Sequence, residues 1–180
     1  NAVVERKFRR IAVVGVPCAV QALARIRTSE NDLLIPYAKS IRLVIGLFCT
    51  ETFDYAALMQ GKLRTHYQLE PHDIRKLDVK GKLEILKQDG STTTVPLAEL
   101  ETCIRKGCHY CTDLTSVMAD ISAGAVGSPA GMTTLIIRTP DGKGFVDSAV
   151  RNNKLALGTG GDPAAIEKLA AVKIKKNTRK

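Results

Sequence analysis

Three of the chain's five cysteines fall within nine positions, in the stretch CIRKGCHYC, and two of them form Cys108-x-x-Cys111. Thiolates are soft metal ligands and strong nucleophiles, so a dithiol redox switch, a zinc knuckle and an iron–sulfur ligand set all begin with such a pattern. Structural zinc sites use paired knuckles, or one pair with further Cys or His downstream, and neither Cys nor His follows Cys111 here. His109, between two cysteines, would point away from a metal its neighbours share. A thioredoxin-like pair opens a helix after a strand, whereas this pair follows a charged stretch with Cys103 five residues before Cys108. Cys103, Cys108 and Cys111 have the plant-type ferredoxin spacing, but that pattern takes its fourth thiolate from downstream. Another quartet is available in Cys18, Cys49, Cys108 and Cys111, with Cys103 able to replace any one member. Spacing alone leaves zinc, dithiol and iron–sulfur readings open.

The elements around these cysteines narrow their placement. RRIAVVGVPC is a Val-rich apolar run ending in Gly15 and Pro17, the pattern of a buried parallel strand running into a turn. CAVQALARIR then has a helical period that puts Ala19, Leu23 and Ile26 on one face. IRLVIGLFC repeats the strand pattern, and TFDYAALMQG is expected to be a helix ending at Gly61. Cys18 and Cys49 thus each sit at the C-terminal end of a strand, the edge where open parallel sheets bind ligands. Lys80-Gly81 and Asp89-Gly90 mark two hairpins of an antiparallel meander. Two more strands follow around a loop with Gly124, Gly127 and Gly131. Asp162 and Pro163 are the N-cap and first residue of a last helix. The expected fold is α/β: a partly parallel sheet with flanking helices, plus an antiparallel β insertion.

Composition bounds the function. The chain has 180 residues, 44% of them hydrophobic and 25% charged, which suits a soluble globular domain. No apolar run approaches the roughly 20 residues that span a bilayer, and NAVVERKFRR lacks the apolar core of a secretory signal. A cytoplasmic location is expected, where cysteines serve metals or catalysis more often than disulfides. Lys173, Lys175, Lys176, Arg179 and Lys180 supply five of the net +9 charges and read as a solvated basic tail over 173–180. The eight Phe and Tyr, with no Trp, give no interleaved basic and aromatic pattern, so nucleic acid is not an expected partner. The charge suits solubility and an anionic ligand or partner. GAVGSPAG is neither a P-loop nor G-x-G-x-x-G. Its glycines either permit turns or let backbone approach a flat cofactor. GTGGD at 158–162 reads as a linker with a helix cap.

GVPCAVQAL, then LFC, then GCHYCTDLTSVMADISAGAVGSPAGMTTLIIRT, in that order, resemble the beta subunit of coenzyme F420-reducing hydrogenase. Its family includes the beta subunit of formate dehydrogenase and the input subunit of the reduced-coenzyme dehydrogenases. The resemblance runs from about Arg9 through Val150 and implies FAD, one 4Fe-4S cluster and coenzyme F420 as substrate. Position by position, it implies Cys18, Cys49, Cys108 and Cys111 as cluster ligands, at the strand C-terminal edge, with Cys103 outside the set. Ser122, Gly124, Gly127, Ser128 and Thr133 match the segment that lines the flavin. Met132 departs from the family, which has an aromatic residue there. The implied role is an electron-transfer flavoprotein subunit. It would pass hydride between the deazaflavin and FAD, and single electrons through the cluster to partner subunits of a hydrogenase or formate dehydrogenase complex. One domain over 1–172 is expected, with the family's N-terminal part absent. Lys62, Arg64, Arg138 and Lys143 are candidates for the coenzyme's anionic groups. A basic zinc-binding module recruiting nucleic acid or a protein is the alternative.

Overall fold

The computed structural model of the chain describes residues 2–79 and 81–178. In chain order it holds β1 (Ile11–Gly15), α1 (Pro17–Arg27), α2 (Ile35–Ser40), β2 (Ile41–Leu47), a π-helix (Ala56–Leu63) and α3 (Arg64–Tyr67). Then come β3 (Ile74–Val79), β4 (Lys82–Lys87), β5 (Thr92–Pro96), β6 (Ile121–Gly124), β7 (Thr134–Ile137), α4 (Pro140–Arg151) and α5 (Pro163–Asn177). Two compact units divide the chain, Asn1–Thr50 with Cys111–Lys180, and Glu51–Tyr110. The antiparallel insertion marked by the hairpin glycines is therefore a unit of its own.

The first unit is built on a four-stranded sheet of order β1-β2-β6-β7. β1 and β6 run parallel to β2, and β7 is antiparallel to β6. A parallel pair needs a crossover, which α1 and α2 supply between β1 and β2. On one face α1 packs Val20 and Leu23 against Val44, Ala119 and Ile41. Ala19 is exposed, although the helical pattern put it on the buried face. The buried line instead runs through Pro17, Val20 and Leu23 to Arg27, whose guanidinium donates to the Asp120 carboxylate at 2.9 Å. On the other face, Val146 of α4 packs with Leu43 and Ile121. Val14 remains 59% exposed, so β1 is not the fully buried strand its Val-rich run suggests.

Asp120, 2% exposed, organises the sheet's middle: its carboxylate also accepts from the Val44 N–H at 2.7 Å and the Thr139 hydroxyl at 2.9 Å. Thr139 in turn caps α4 by accepting from the Gly142 N–H at 3.1 Å, with Pro140 at the first helical position. Gly142 and Gly144 hide α4 from propensity, since glycine weakens a helix interior. Gly142 has a packing reason, because a side chain there would strike the Asp120 carbonyl.

The second unit packs the meander β3-β4-β5 against the π-helix. Leu83, Ile85 and Val95 face inward to Leu58, Leu63 and Leu100, while Lys82 and Glu84 stay at the surface. Gly90 turns at φ 84, as the Asp89-Gly90 hairpin requires, and Gly81 at φ 72; Lys80 lies outside the described residues. Gly61 does not end its helix. The helix runs on to Tyr67 and stops at Gln68, which takes the left-handed φ of 52.

Candidate functional site

Cys18 and Cys49 stand just beyond the C-terminal ends of two neighbouring parallel strands. Cys18 lies in the first turn of α1 and is exposed; Cys49 lies two residues past β2 and is half-buried. Cys111 belongs to the same unit, on the segment leading toward β6. The Cys49 N–H donates to the Leu114 carbonyl at 2.9 Å, so the loop after β2 is laced to that segment. Cys108 belongs to the second unit, where the Thr52 N–H donates to its sulfur at 3.3 Å. Cys103 is 3% exposed inside that unit's core and donates toward the Ala57 carbonyl at 3.5 Å, which suits a packing role. Among the described residues no three His, Cys, Asp or Glu side chains stand together as a metal-binding group. What fits a cluster is the donor chemistry: soft sulfur ligands, two of them just beyond neighbouring strand ends.

Two side chains from α5 hold the cysteine-bearing main chain. The Lys173 ammonium donates to the Cys49 carbonyl at 2.7 Å and to the Asp113 carbonyl at 2.6 Å. One turn later the Asn177 amide donates to the Cys111 carbonyl at 2.6 Å. Lys173 is 5% exposed and Asn177 8%. Lys173 is thus no part of a solvated tail: α5 continues through Asn177, and Arg179 and Lys180 lie outside the described residues. The signal was available in position, since Lys173 and Asn177 are four apart and share a helical face.

A cavity of about 460 Å³ opens beside the glycine loop. Ser128, Gly131, Met132 and Thr133 line one side; Leu155, Leu157, Gly158, Thr159 and Gly161 line another. The volume lies in the roughly 300–1,000 Å³ range of small-molecule sites. Gly158, Thr159 and Gly161, from the stretch 158–162 read as a linker, are therefore wall, together with Leu155, Ala156 and Leu157 before them. Gly158 leaves space for the Met132 thioether, which a side chain at 158 would meet.

The five residues matched to the flavin segment divide. Ser128 and Thr133 line the cavity. Ser122 is fully buried; its hydroxyl donates to the Ser116 carbonyl at 3.2 Å and accepts from Arg138 Nε at 2.9 Å. Gly124 leaves room for the Phe48 ring. Gly127, at φ 81, faces α5: its carbonyl accepts from the Asp162 N–H at 2.7 Å, and a Cβ would come within 2.6 Å of the Asp162 carbonyl. These three are matched by structural demands inside the sheet and loop. The cationic candidates are likewise engaged: Lys62 pairs with Glu99, Arg64 with Glu70, Lys143 with Asp147, and Arg138 with Ser122 and Thr115.

In the second unit, Lys62 and the Tyr67 hydroxyl both donate to Glu99. Those two hydrogen bonds, the one from Lys62 foremost, hold the Glu99 carboxyl below its ordinary value, and the bond to Glu99 raises Lys62. No described helix is long and apolar enough to cross a membrane.

Comparison with known proteins gives this arrangement a family. The family model for the C-terminal part of the coenzyme F420 hydrogenase/dehydrogenase beta subunit matches residues 8–162. An uncharacterised protein of Methanocaldococcus jannaschii is 41% identical over 177 residues, 98% of this chain and 49% of the relative. The beta subunit of coenzyme F420 hydrogenase from Methanococcus voltae is 35% identical over 156 residues, 83% of this chain and 52% of the relative. A chain of the F420-reducing NiFe hydrogenase complex from Methanosarcina barkeri matches with a TM-score of 0.90 at 31% identity, over 99% of this chain and 62% of that one. The chain belongs to the coenzyme F420 hydrogenase/dehydrogenase beta-subunit family. It spans about half the length of those two curated relatives.

Proposed function

We propose that the chain is part of an electron-transfer flavoprotein subunit of a coenzyme F420-dependent oxidoreductase, with Cys18, Cys49, Cys108 and Cys111 as ligands of a 4Fe-4S cluster. The observation that carries this reading is the matched placement of Cys18 and Cys49 beyond adjacent parallel strands, in a chain of this family. A flavin exchanges both hydride and single electrons, so FAD would link the two-electron deazaflavin to a one-electron cluster.

The chain's own residues prepare these roles. Ser128 and Thr133 line the 460 Å³ cavity, and Leu155 and Leu157 give it an apolar side suited to a flat ring. The Ser128 hydroxyl lies within donating distance of both the Ala125 and Met132 carbonyls, at 2.9 and 3.0 Å, and its one proton bonds either of them, which holds the loop's shape. Met132, unbranched and flexible, moves aside at little cost where a ring enters. At the strand edge, Lys173 and Asn177 restrict the main chain that carries Cys49 and Cys111. Coenzyme F420 is the proposed substrate, and the partners are catalytic and electron-transfer subunits of a larger complex.

Purification without oxygen, with iron and flavin counted per chain, tests the reading. A brown-yellow protein with four irons is expected, the number a 4Fe-4S cluster requires. Changing Cys18, Cys49, Cys108 or Cys111 to Ser should abolish iron, and Cys103→Ser should keep it. Iron lost in Cys103→Ser but retained in Cys18→Ser would favour the ferredoxin-like set, and a colourless zinc protein would sink the assignment.

A further inference from the structure

Lys173 is a buried cation whose ammonium, among the described residues, reaches no carboxylate. Burying such a group is costly unless its donors are satisfied. Here they are directed to two loop carbonyls, those of Cys49 and Asp113, at 2.7 and 2.6 Å. Methionine would fill similar volume without that burden. Asp113 cannot serve as its counter-ion through the side chain, because that carboxylate is turned to its own loop and accepts from the Thr115 and Val117 N–H groups, both at 3.0 Å. The charge therefore sits among main-chain dipoles, against the carbonyl of one proposed ligand, Cys49, and that of Asp113, two residues past Cys111, which Asn177 holds.

We infer that Lys173 is a positioning residue that fixes the cysteine-bearing edge and, by its charge, raises the reduction potential of a cluster bound there; this rests on the cluster assignment above. Taking up one electron adds one negative charge, and a fixed cation that is itself buried beside the site favours the more negative state. The two carbonyls it binds have their oxygens turned to nitrogen, which keeps the Cys49 and Asp113 loops in one conformation before any cluster arrives. Lys173 touches no reacting atom, so its effect runs through the loops and the field.

The test uses the full chain, reconstituted without oxygen with iron and sulfide and titrated with dithionite under spectroscopic control. Lys173→Gln keeps donor capacity without charge; Lys173→Arg keeps charge. The Gln variant should hold iron with a lower potential, about tenfold less reduced cluster at a fixed potential, or about 59 mV for a one-electron couple. The Arg variant should return toward wild type. Asn177→Ala, which removes an anchor but no charge, should weaken iron retention without that shift. Iron and potential both unchanged in Lys173→Gln would overturn the inference. If Lys173→Gln does not fold, a folded Arg variant with wild-type potential supports the role, and failure of both variants assigns Lys173 to packing alone. Absence of iron in wild type would instead remove the cluster assignment, and this inference with it.

Discussion

Cys18 and Cys49 occupy equivalent points on neighbouring strands: Gly15 pairs with Gly46 across β1 and β2, and each cysteine follows its glycine by three residues. The two glycines are not equivalent in their surroundings. A Cβ on Gly46 would strike Ser116 and come within 2.9 Å of Ala119, whereas on Gly15 the nearest contact would be Ala19 at 3.2 Å. Gly46→Ala should therefore cost about 1–3 kcal/mol through overpacking, and Gly15→Ala less. Urea unfolding of both variants checks the order, and equal midpoints would show that the crowding over β2 relaxes freely.

Gly127→Ala separates turn from ligand. With φ at 81 and the α5 cap behind it, a methyl here meets protein rather than cavity. The variant should lose roughly 1 kcal/mol or more of stability while flavin per chain stays at the wild-type value. Loss of flavin at unchanged stability would return Gly127 to the cofactor wall.

The cavity has its own reporter. The chain contains no Trp, so Met132→Trp introduces a single indole at the mouth of the proposed flavin site, with the aromatic character that the family resemblance implies there. Its fluorescence should be quenched on adding FAD, by stacking or close approach. Emission that ignores FAD, in a variant that remains folded, would place the flavin elsewhere.

Glu99 gives stability a pH dependence of known sign. Its carboxyl is held below the ordinary 4.5, chiefly by the bond from Lys62 and then that from Tyr67, so the contribution is present above that value and is lost as pH falls through the lower folded one. Lys62 is raised above 10.5, so its contribution is present below that value and lost as pH rises through the higher folded one. Both groups face solvent in part, and the effect is small. Urea midpoints between about pH 3 and 6 should rise more steeply for wild type than for Glu99→Gln; parallel curves would contradict the pairing.

Much of the frame could be read from residue order, and the misses have physical causes. The apolar runs before Gly15 and before Cys49 gave two parallel strands, and the glycines at 81 and 90 gave the meander, because strand period and positive φ are local properties. The family was recognisable from the ordered cysteine and glycine motifs. Helix α4 escaped because Gly142 and Gly144 lower its propensity, although Thr139-Pro140 is a sound start signal. The extension of the helix past Gly61 depends on π geometry that no periodicity reveals. Leu155 to Gly161 became cavity wall only through tertiary folding, and the burial of Lys173 depended on which carbonyls lay opposite it. Side-chain type marks a cation; only the fold says whether water reaches it.

Helix α5 is tied at both ends, by the Gly127–Asp162 bond at its cap and by Lys173 and Asn177 near its close. From cap to clamp is eleven residues, about 16 Å of helical rise. That makes the helix a ruler with a phase as well as a length. One residue inserted between Ile166 and Val172 would turn the clamp by about 100° and lengthen the reach by about 1.5 Å, aiming Lys173 and Asn177 away from the cysteine loops while leaving composition and hydropathy almost untouched. Substitutions along the exposed side of α5 leave that phase intact, so the segment tolerates exchange of residues far better than it tolerates a change in their number.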